Sequence, residues 1–488
     1  MATLTGETFE SLNPATGAVV GTYPVHTAEE VEAAVAKARA AAQWWASLGF
    51  AGRAERLARW RGALARRMSE LGEVITAETG KPAGDAQLEL VLAIEHLAWA
   101  AKHARKVLGP QRRAPGLLLS NQAASVEYHP LGVVGVIGPW NYPVYTPLGS
   151  ISYALAAGNA VVFKPSEYTP GVGKWLVESF AEAAPEHPVL QLVTGFGETG
   201  AALTRAGVDK LAFTGSAATG KKVMATAAET LTPVVIEAGG KDPLLVDADA
   251  DLDAAADATV WGAFSNAGQT CAGVERVYVH ERVYDAFVAK VVDKAERIEA
   301  GEHYGPMTMP SQLDVVRRHI EDALARGGRA LVGGNGAVGE RFVRPTVLVD
   351  VPEDCSAVRE ETFGPTVTIA KVADMDEAIE KANDSPYGLG STVFSKSRGM
   401  ELARRLRTGQ TAINAPLSFA GIASLPFGGS GESGFGRIHG PEGLREFARP
   451  KAIARQRFTA PIALTSFARS KKTEALVGKL VAKLHGKS

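Results

Sequence analysis

The sequence predicts an α/β protein with two parallel-sheet domains, and two observations carry that prediction. Short runs rich in Val, Ile and Leu recur at 133–137, 160–163, 189–193, 211–213 and 234–236, with helical stretches between them. Parallel strands need crossover connections and become buried on both faces, so this alternation reads as βαβ units with helices on either side. The pattern restarts after Cys271, with runs at 274–279, 346–349, 367–370, 392–394 and 411–413. Two series imply two domains, with the stretch from Glu237 to Cys271 spanning their junction.

The remaining elements are simpler. An extended start contains the turn-forming run Asn13-Pro14-Ala15-Thr16-Gly17. Residues 27–108 are rich in Ala, Glu, Arg and Leu and read as several amphipathic helices, the first opened by a capping box from Thr27 to Glu30. Residues 469–488 carry Lys471, Lys472, Lys479, Lys483 and Lys487, with Leu476, Val477, Leu480, Val481 and Leu484 on one helical face. We read this basic amphipathic tail as a packed or frayed terminal helix; its functional alternative is attachment to an anionic membrane surface or a partner.

Composition bounds the partners. Across 488 residues, 52 Lys plus Arg stand against 53 Asp plus Glu, so no charge excess calls for nucleic acid. Two cysteines, Cys271 and Cys355, make no disulfide framework and no metal-ligand cluster, so no metal is expected and a reducing compartment is the simpler reading. The start, Met1-Ala2-Thr3-Leu4-Thr5, has neither a basic nor an apolar leader region, and no run of apolar residues is long enough to span a bilayer. The expectation is a cytoplasmic protein.

Chemistry enters with Glu237 and, 34 positions later, Cys271. A free cysteine ordinarily behaves as a small buried hydrophobe. Here Gly268, Gln269, Thr270 and Gly273 surround it, small or polar neighbours that permit close backbone approach. Glu237 ends an apolar run and enters a double-glycine turn. A thiolate nucleophile with a carboxylate base points to covalent carbonyl chemistry.

Three turns suit a nucleotide to different degrees. Gly195-Phe196-Gly197-Glu198-Thr199-Gly200 matches a dinucleotide fingerprint but lacks its later acidic residue. Gly215-Ser216-Ala217-Ala218-Thr219-Gly220-Lys221 resembles a P-loop, but Lys222 replaces the hydroxyl that would hold magnesium. The surviving feature there is a strand running into a helix start, whose free N–H groups can hold a pyrophosphate. At 161–167 a strand ends in Lys164-Pro165-Ser166-Glu167. Lys164 and Glu167 could be plain surface charges. Together they suit ribose hydroxyls, and a carboxylate repels a 2′-phosphate, which favours NAD over NADP.

These motifs resemble the aldehyde dehydrogenase superfamily from about Asn13 to Lys451, in the family's order. Ile137-Gly138-Pro139-Trp140-Asn141 is similar to the segment bearing the oxyanion asparagine, and Lys164-Pro165-Ser166-Glu167 to the ribose turn. Phe213-Thr214-Gly215-Ser216 resembles the helix start beside the pyrophosphate, Glu237-Ala238-Gly239-Gly240-Lys241 the general-base motif, and Gly268-Gln269-Thr270-Cys271 the nucleophile loop. Glu361 and Phe363 stand where the family positions the nicotinamide ribose and ring, and Pro426-Phe427-Gly428-Gly429 resembles the closing segment. Ala238 departs from the family's usual leucine.

The resemblance implies an aldehyde-dehydrogenase-like fold with two Rossmann-type domains, an NAD-binding domain of 1–111 and 131–240 and a catalytic domain of 241–449. It also implies a β oligomerisation arm of 112–130 and 450–459, supporting dimers or tetramers, ahead of the tail 460–488. NAD, or else NADP, is expected at Ile137, Pro139, Trp140, Asn141, Lys164, Ser166, Glu167, Gly197, Phe213, Gly215, Ser216, Thr219, Gly220, Glu237, Gly239, Cys271, Glu361 and Phe363. The implied catalytic set is Cys271 as nucleophile, Asn141 as oxyanion donor, Glu237 as activator of the hydrolytic water, and Lys164. Glu237 argues against transfer to CoA, which needs no water-activating base. The segment 411–425, expected to line the aldehyde entrance, carries no charge. With Tyr142, Tyr145, Thr270 and Phe419 it suggests an apolar aliphatic or aromatic aldehyde, since a semialdehyde carboxylate would need an Arg or Lys anchor. The alternatives are a semialdehyde dehydrogenase, a cysteine hydrolase or acyltransferase, and a non-catalytic binding protein.

Overall fold

The structure, a computed structural model, describes residues 6–459 and 466–486. The first five residues of the chain start, and Lys487 of the basic tail, lie outside these. The chain divides into two compact units. One comprises the described residues up to Leu108 together with Pro130–Arg449, and the other Gly109–His129 and the described residues from Pro450 onward.

The first unit is built on two sheets. A six-stranded sheet runs in the order Gly434–Phe435, Val234–Ala238, Lys210–Gly215, Val133–Ile137, Ala160–Lys164, Leu190–Leu192. Every neighbouring pair is parallel except the short edge strand Gly434–Phe435, which runs antiparallel. A seven-stranded sheet runs Arg329–Val332, Thr346–Val349, Thr366–Val372, Val274–His280, Asp242–Val246, Gly390–Phe394, Gln410–Ile413, with Arg329–Val332 its one antiparallel edge. The central strands are buried along most of their length, which is why they read as continuous apolar runs rather than alternating ones. Three short or polar strands escaped the sequence pattern: Asp242–Val246, Arg329–Val332 and Gly434–Phe435.

The extended start forms a two-stranded antiparallel sheet, Thr8–Leu12 with Val19–Pro24, and four helices follow it: Ala28–Ser47, Gly49–Arg66, Met68–Thr79 and Ala83–Leu108. The predicted capping box forms, with Thr27 N donating to Glu30 Oε2 at 2.9 Å and Glu30 N to Thr27 Oγ1 at 3.3 Å. Val31, Val35, Ala38, Ala42 and Trp45 make the buried stripe of the first helix. The Trp45 and Trp60 indoles are fully buried, and each N–H finds an acceptor, the Leu155 carbonyl at 2.8 Å and Ser179 Oγ at 2.9 Å. Burial of that size with the polar atom satisfied makes truncation of either tryptophan cost about 3–5 kcal/mol.

In the six-stranded sheet the chain moves outward from Val133–Ile137 through Ala160–Lys164 to Leu190–Leu192, then returns to the other side of Val133–Ile137 with Lys210–Gly215. The strand order therefore reverses between Val133–Ile137 and Lys210–Gly215. Outside the carboxyl ends of two such strands the loops diverge and leave a crevice for a ligand.

The second unit holds a three-stranded sheet ordered Ala448–Gln456, Gln122–Pro130, Gln111–Arg113. Asn121 ties its ends, accepting from Arg457 N at 2.8 Å and donating to the Phe458 carbonyl at 3.2 Å. The predicted tail helix forms at Lys471–His485 with none of its residues buried, which sets aside the packed form of that expectation and leaves the frayed one. No helix among the described residues is long and apolar enough to cross a membrane.

Candidate active site

The crevice at the strand reversal opens into a cavity of about 940 Å³. The first sheet contributes residues at and just beyond the carboxyl ends of its strands: Ile137, Pro139, Trp140 and Asn141; Lys164, Ser166 and Glu167; and Phe213, Gly215, Ser216 and Thr219. Gly197 lines it from the start of the helix Gly197–Arg205. The second sheet contributes residues just ahead of its strands: Gly239, Cys271, Glu361 and Phe363. These are the expected nucleotide residues apart from two. Gly220 lies outside the lining; a Cβ there would press on Ile236 at 3.2 Å, so this glycine serves close helix-to-strand packing. Glu237 lines a different cavity.

The floor is suited to a dinucleotide. Ser216 caps the helix Ala217–Ala228 by accepting from Thr219 N at 3.3 Å, leaving other first-turn N–H groups facing outward. Lys221, the P-loop-like lysine, pairs instead with Glu432, while Lys222 lines the cavity. Lys164 is 3% exposed, donates to the Pro165 carbonyl at 3.1 Å, and is held below the usual lysine range by burial, against the pull of Glu167. Glu361 accepts from Gly240 N at 3.1 Å, and a Cβ on Gly239 would overlap its carboxylate. Burial, with Glu275 nearby, pushes Glu361 up to about 8. Glu275 in turn accepts from Thr362 N and Phe363 N, both at 3.1 Å through Oε1, and pairs with the buried Lys241. Phe363, at φ 50°, meets Trp140 edge to face with centroids 5.5 Å apart.

A second cavity, of about 230 Å³, lies on the other side of the cysteine. Tyr142, Tyr145, Thr270 and Glu237 line it together with Leu88, Leu92, Trp261 and Leu417. Cys271 lines both cavities. Phe419 does not line the second one. It is 4% exposed and packs into a core cluster with Phe427, at 6.2 Å between centroids. Its neighbour Ala420 takes the lining position because the Ala420 carbonyl is held at 2.8 Å by the Tyr145 hydroxyl and at 2.9 Å by the His96 ring.

The cysteine loop is held in an uncommon backbone shape. Asn266, Ala267 and Gly268 take φ values of 52°, 56° and 69° in succession. Left-handed backbone at two non-glycine residues costs on the order of 1–2 kcal/mol each and persists only where packing imposes it. Packing does impose it: Ala267 is fully buried, and a Cβ on Gly268 would overlap the Gly364 carbonyl. Asn141 Nδ2 donates to the Gln269 carbonyl at 2.9 Å, which fixes the asparagine amide against this loop. The Asn141 carbonyl accepts from Lys81 Nζ at 2.9 Å and Asn266 Nδ2 at 3.1 Å. Lys81 pairs with Glu89 at 2.6 Å with both side chains fully buried, and Glu89 Oε1 accepts from Val144 N and Tyr145 N. One ion pair therefore clamps the backbone on both sides of the loop that carries Asn141 and Tyr142.

The two reactive groups perturb each other. Glu237 is 4% exposed and accepts from Thr214 Oγ1 at 3.2 Å. Burial pushes its carboxyl up to about 7, although hydrogen bonds with the Cys271 thiol and Thr214 pull the other way. Burial first, and the Glu237 carboxylate next, raise the Cys271 thiol well above its ordinary value, so the resting sulfur keeps its proton. A carboxyl poised near neutrality beside a thiol can accept a proton from the thiol or from a water that replaces it as the donor.

The sequence reading overlooked Lys81, Asp85, Leu88, Glu89, Leu92 and Trp261. Asp85, Leu88 and Leu92, at i, i+3 and i+7 on the helix Ala83–Leu108, shared a face that helical spacing could have revealed. Nothing local marks Trp261.

The family model for the aldehyde dehydrogenase family matches residues 2–453. A Mycolicibacterium smegmatis protein named as a succinate-semialdehyde dehydrogenase, NADP(+), is 39% identical over 453 residues, covering 91% of this chain and 87% of that protein. The 4,4'-diapolycopene aldehyde oxidase of Methylomonas sp is 39% identical over 455 residues, covering 91% and 85%. Among solved structures, the NAD-dependent aldehyde dehydrogenase from Sinorhizobium meliloti superposes with a TM-score of 0.89 at 33% identity, covering 94% of this chain and 93% of that one. The chain belongs to the aldehyde dehydrogenase family, oxidoreductases that act on aldehydes.

Proposed function

We propose that the chain oxidises apolar aliphatic or aromatic aldehydes to carboxylic acids with NAD, or else NADP. The observation that carries this reading is that Cys271 lines two cavities at once, one fitted to a dinucleotide and one largely apolar. The larger would hold the cofactor with pyrophosphate at the Ser216 helix start and ribose hydroxyls at Glu167 and Glu361. The Glu167 carboxylate disfavours a 2′-phosphate, which supports NAD. Bound there, the nicotinamide supplies the hydride acceptor.

The Cys271 thiol proton passes to Glu237, which releases it to solvent before hydrolysis; the sulfur bonds to the aldehyde carbon and the carbonyl π pair moves onto oxygen as an oxyanion. The Asn141 amide and the Cys271 backbone N–H are the donors that stabilise it. When the oxyanion collapses, hydride leaves the carbon and a thioester to Cys271 remains. Glu237 takes a proton from water as its oxygen attacks the thioester; the carbon–sulfur bond breaks, and the sulfur is free for the next cycle. Gln269 and the Lys81–Glu89 pair keep Asn141 in position.

The smaller cavity supports the substrate class. Among its described lining residues the single cation, Lys81, is already paired with Glu89 and the Asn141 carbonyl, so none is left to anchor a second carboxylate. Asp85 and Glu237 would repel one. We also read the three-stranded sheet of the second unit as a dimer or tetramer arm.

The test is a panel of benzaldehyde, octanal, lactaldehyde and succinate semialdehyde with NAD and NADP, monitored by nicotinamide absorbance. Benzaldehyde or octanal should exceed succinate semialdehyde in kcat/KM by at least about tenfold, the worth of a few apolar contacts, and Cys271→Ala should give no reduced nicotinamide. A preference for succinate semialdehyde refutes the substrate class. Nucleotide binding without turnover of any aldehyde refutes the reaction.

A further inference from the structure

The helix Lys471–His485 is accounted for by neither the fold nor the active site. Ser470 caps it by accepting from Thr473 N at 3.2 Å, so it is a formed helix of 15 residues, about 22 Å long. None of its residues is buried, and Leu476, Val481 and Leu484 are 54%, 38% and 43% exposed. At 3.6 residues per turn, Leu476, Val477, Leu480, Val481 and Leu484 share one apolar face spanning about 140°. Lys472, Lys479 and Lys483, at i, i+7 and i+11, fall within about 40° of one another on the flank bordering Leu476. On the opposite flank stands Glu474, the one carboxylate in 466–486, and Arg469 neutralises it at 3.0 Å. Phe467, fully exposed, and Lys471 extend the apolar and basic character to the start of the helix.

The geometry points to an anionic lipid surface as the occupant of this face. An aliphatic face left in water is unfavourable, and protein interfaces are enriched in aromatic residues, Met and Arg and poor in Lys, whereas this face is aliphatic with a lysine row beside it. A bilayer bearing acidic headgroups meets both needs: the leucines and valines enter the boundary between headgroups and acyl chains, and the lysine row lies among the phosphates. The helix is too short and too polar to span the membrane, so the contact is peripheral. Such a contact would hold the enzyme where apolar aldehydes dissolve.

The experiment is sedimentation of the full chain with vesicles of phosphatidylcholine alone and of phosphatidylcholine mixed with phosphatidylglycerol, at low and high salt. The chain is expected to sediment with the mixed vesicles at low salt, and not with neutral ones. Lys472→Glu/Lys479→Glu/Lys483→Glu should weaken partitioning on the order of a hundredfold or more, since each cation near such a surface is worth roughly fivefold. Leu480→Asp should also abolish it, with aldehyde turnover and native mass unchanged in both variants. No sedimentation with mixed vesicles, or equal sedimentation with neutral ones, overturns the inference. So does a fall in native mass on Leu480→Asp, which would make the face a contact between copies of the chain. The vesicle readout needs no aldehyde, so it fails or holds separately from the substrate reading.

Discussion

Replacing Glu237 by glutamine removes a titration from a buried site, and its effects on activity and stability have opposite signs. Burial moves the carboxyl from 4.5 to about 7 in the folded chain. The folded protein therefore holds this proton more tightly than the unfolded one. Stability from that proton is complete below about pH 4.5 and is lost as pH rises through about 7. A shift of this size corresponds to about 3 kcal/mol. Glutamine keeps the shape and never ionises, so the variant should be the more stable protein near pH 8 by up to about 3 kcal/mol. Near pH 4.5 the advantage should vanish, and thermal melting across that range measures it. Turnover should behave oppositely. Wild-type thioester hydrolysis should rise about tenfold per pH unit below 7 and level off above it, because the base must be ionised. Glutamine should lower the rate by about 10²–10⁴ and flatten the profile, leaving a single burst of reduced nicotinamide when enzyme and aldehyde are mixed. A variant that turns over with the wild-type profile, or whose melting advantage ignores pH, would refute the assignment of Glu237 as a buried base.

Two further changes test the supports of the site. Asn141→Ala should reduce the burst rate by about 10²–10³ as one oxyanion donor is lost, read by stopped-flow absorbance. Lys81→Met leaves the Glu89 carboxylate buried and unpaired, at a cost of about 3–5 kcal/mol, and Lys81→Met/Glu89→Gln should recover much of it; melting curves measure both, and kcat should fall in the single variant because the Asn141 carbonyl loses its clamp.

The parallel strands were legible in the sequence because burial on both faces leaves uninterrupted apolar runs, as in Val133–Ile137 and Thr346–Val349. Asp242–Val246 was missed because Asp242-Pro243 carries the signature of a turn; inside the sheet its register shifts at that step. Gly434–Phe435 has two residues and no periodicity to find. The cysteine and glutamate announced themselves through unusual neighbours and the asparagine only through its resemblance to the family motif, whereas Trp261 and Leu88 are ordinary helical residues whose position beside Cys271 depends on contacts far apart in the chain. Phe419 illustrates the reverse. Its segment reads as an uncharged entrance, but the hold on the Ala420 carbonyl turns the phenylalanine into the core.

By itself the sequence determined the chemical inventory: a thiol, a carboxylate, an amide, a lysine and glutamate turn, and the motif order shared with the aldehyde dehydrogenase family. Those depend on residue type and local spacing, which a linear chain displays. Tertiary structure decided that Cys271 lines two cavities, that Lys81 is committed to Glu89, and that the Glu237 carboxyl sits near neutrality. The first two follow from how the folded chain is arranged in space, and the third from the removal of water around Glu237, which is set by neighbours in space rather than along the chain.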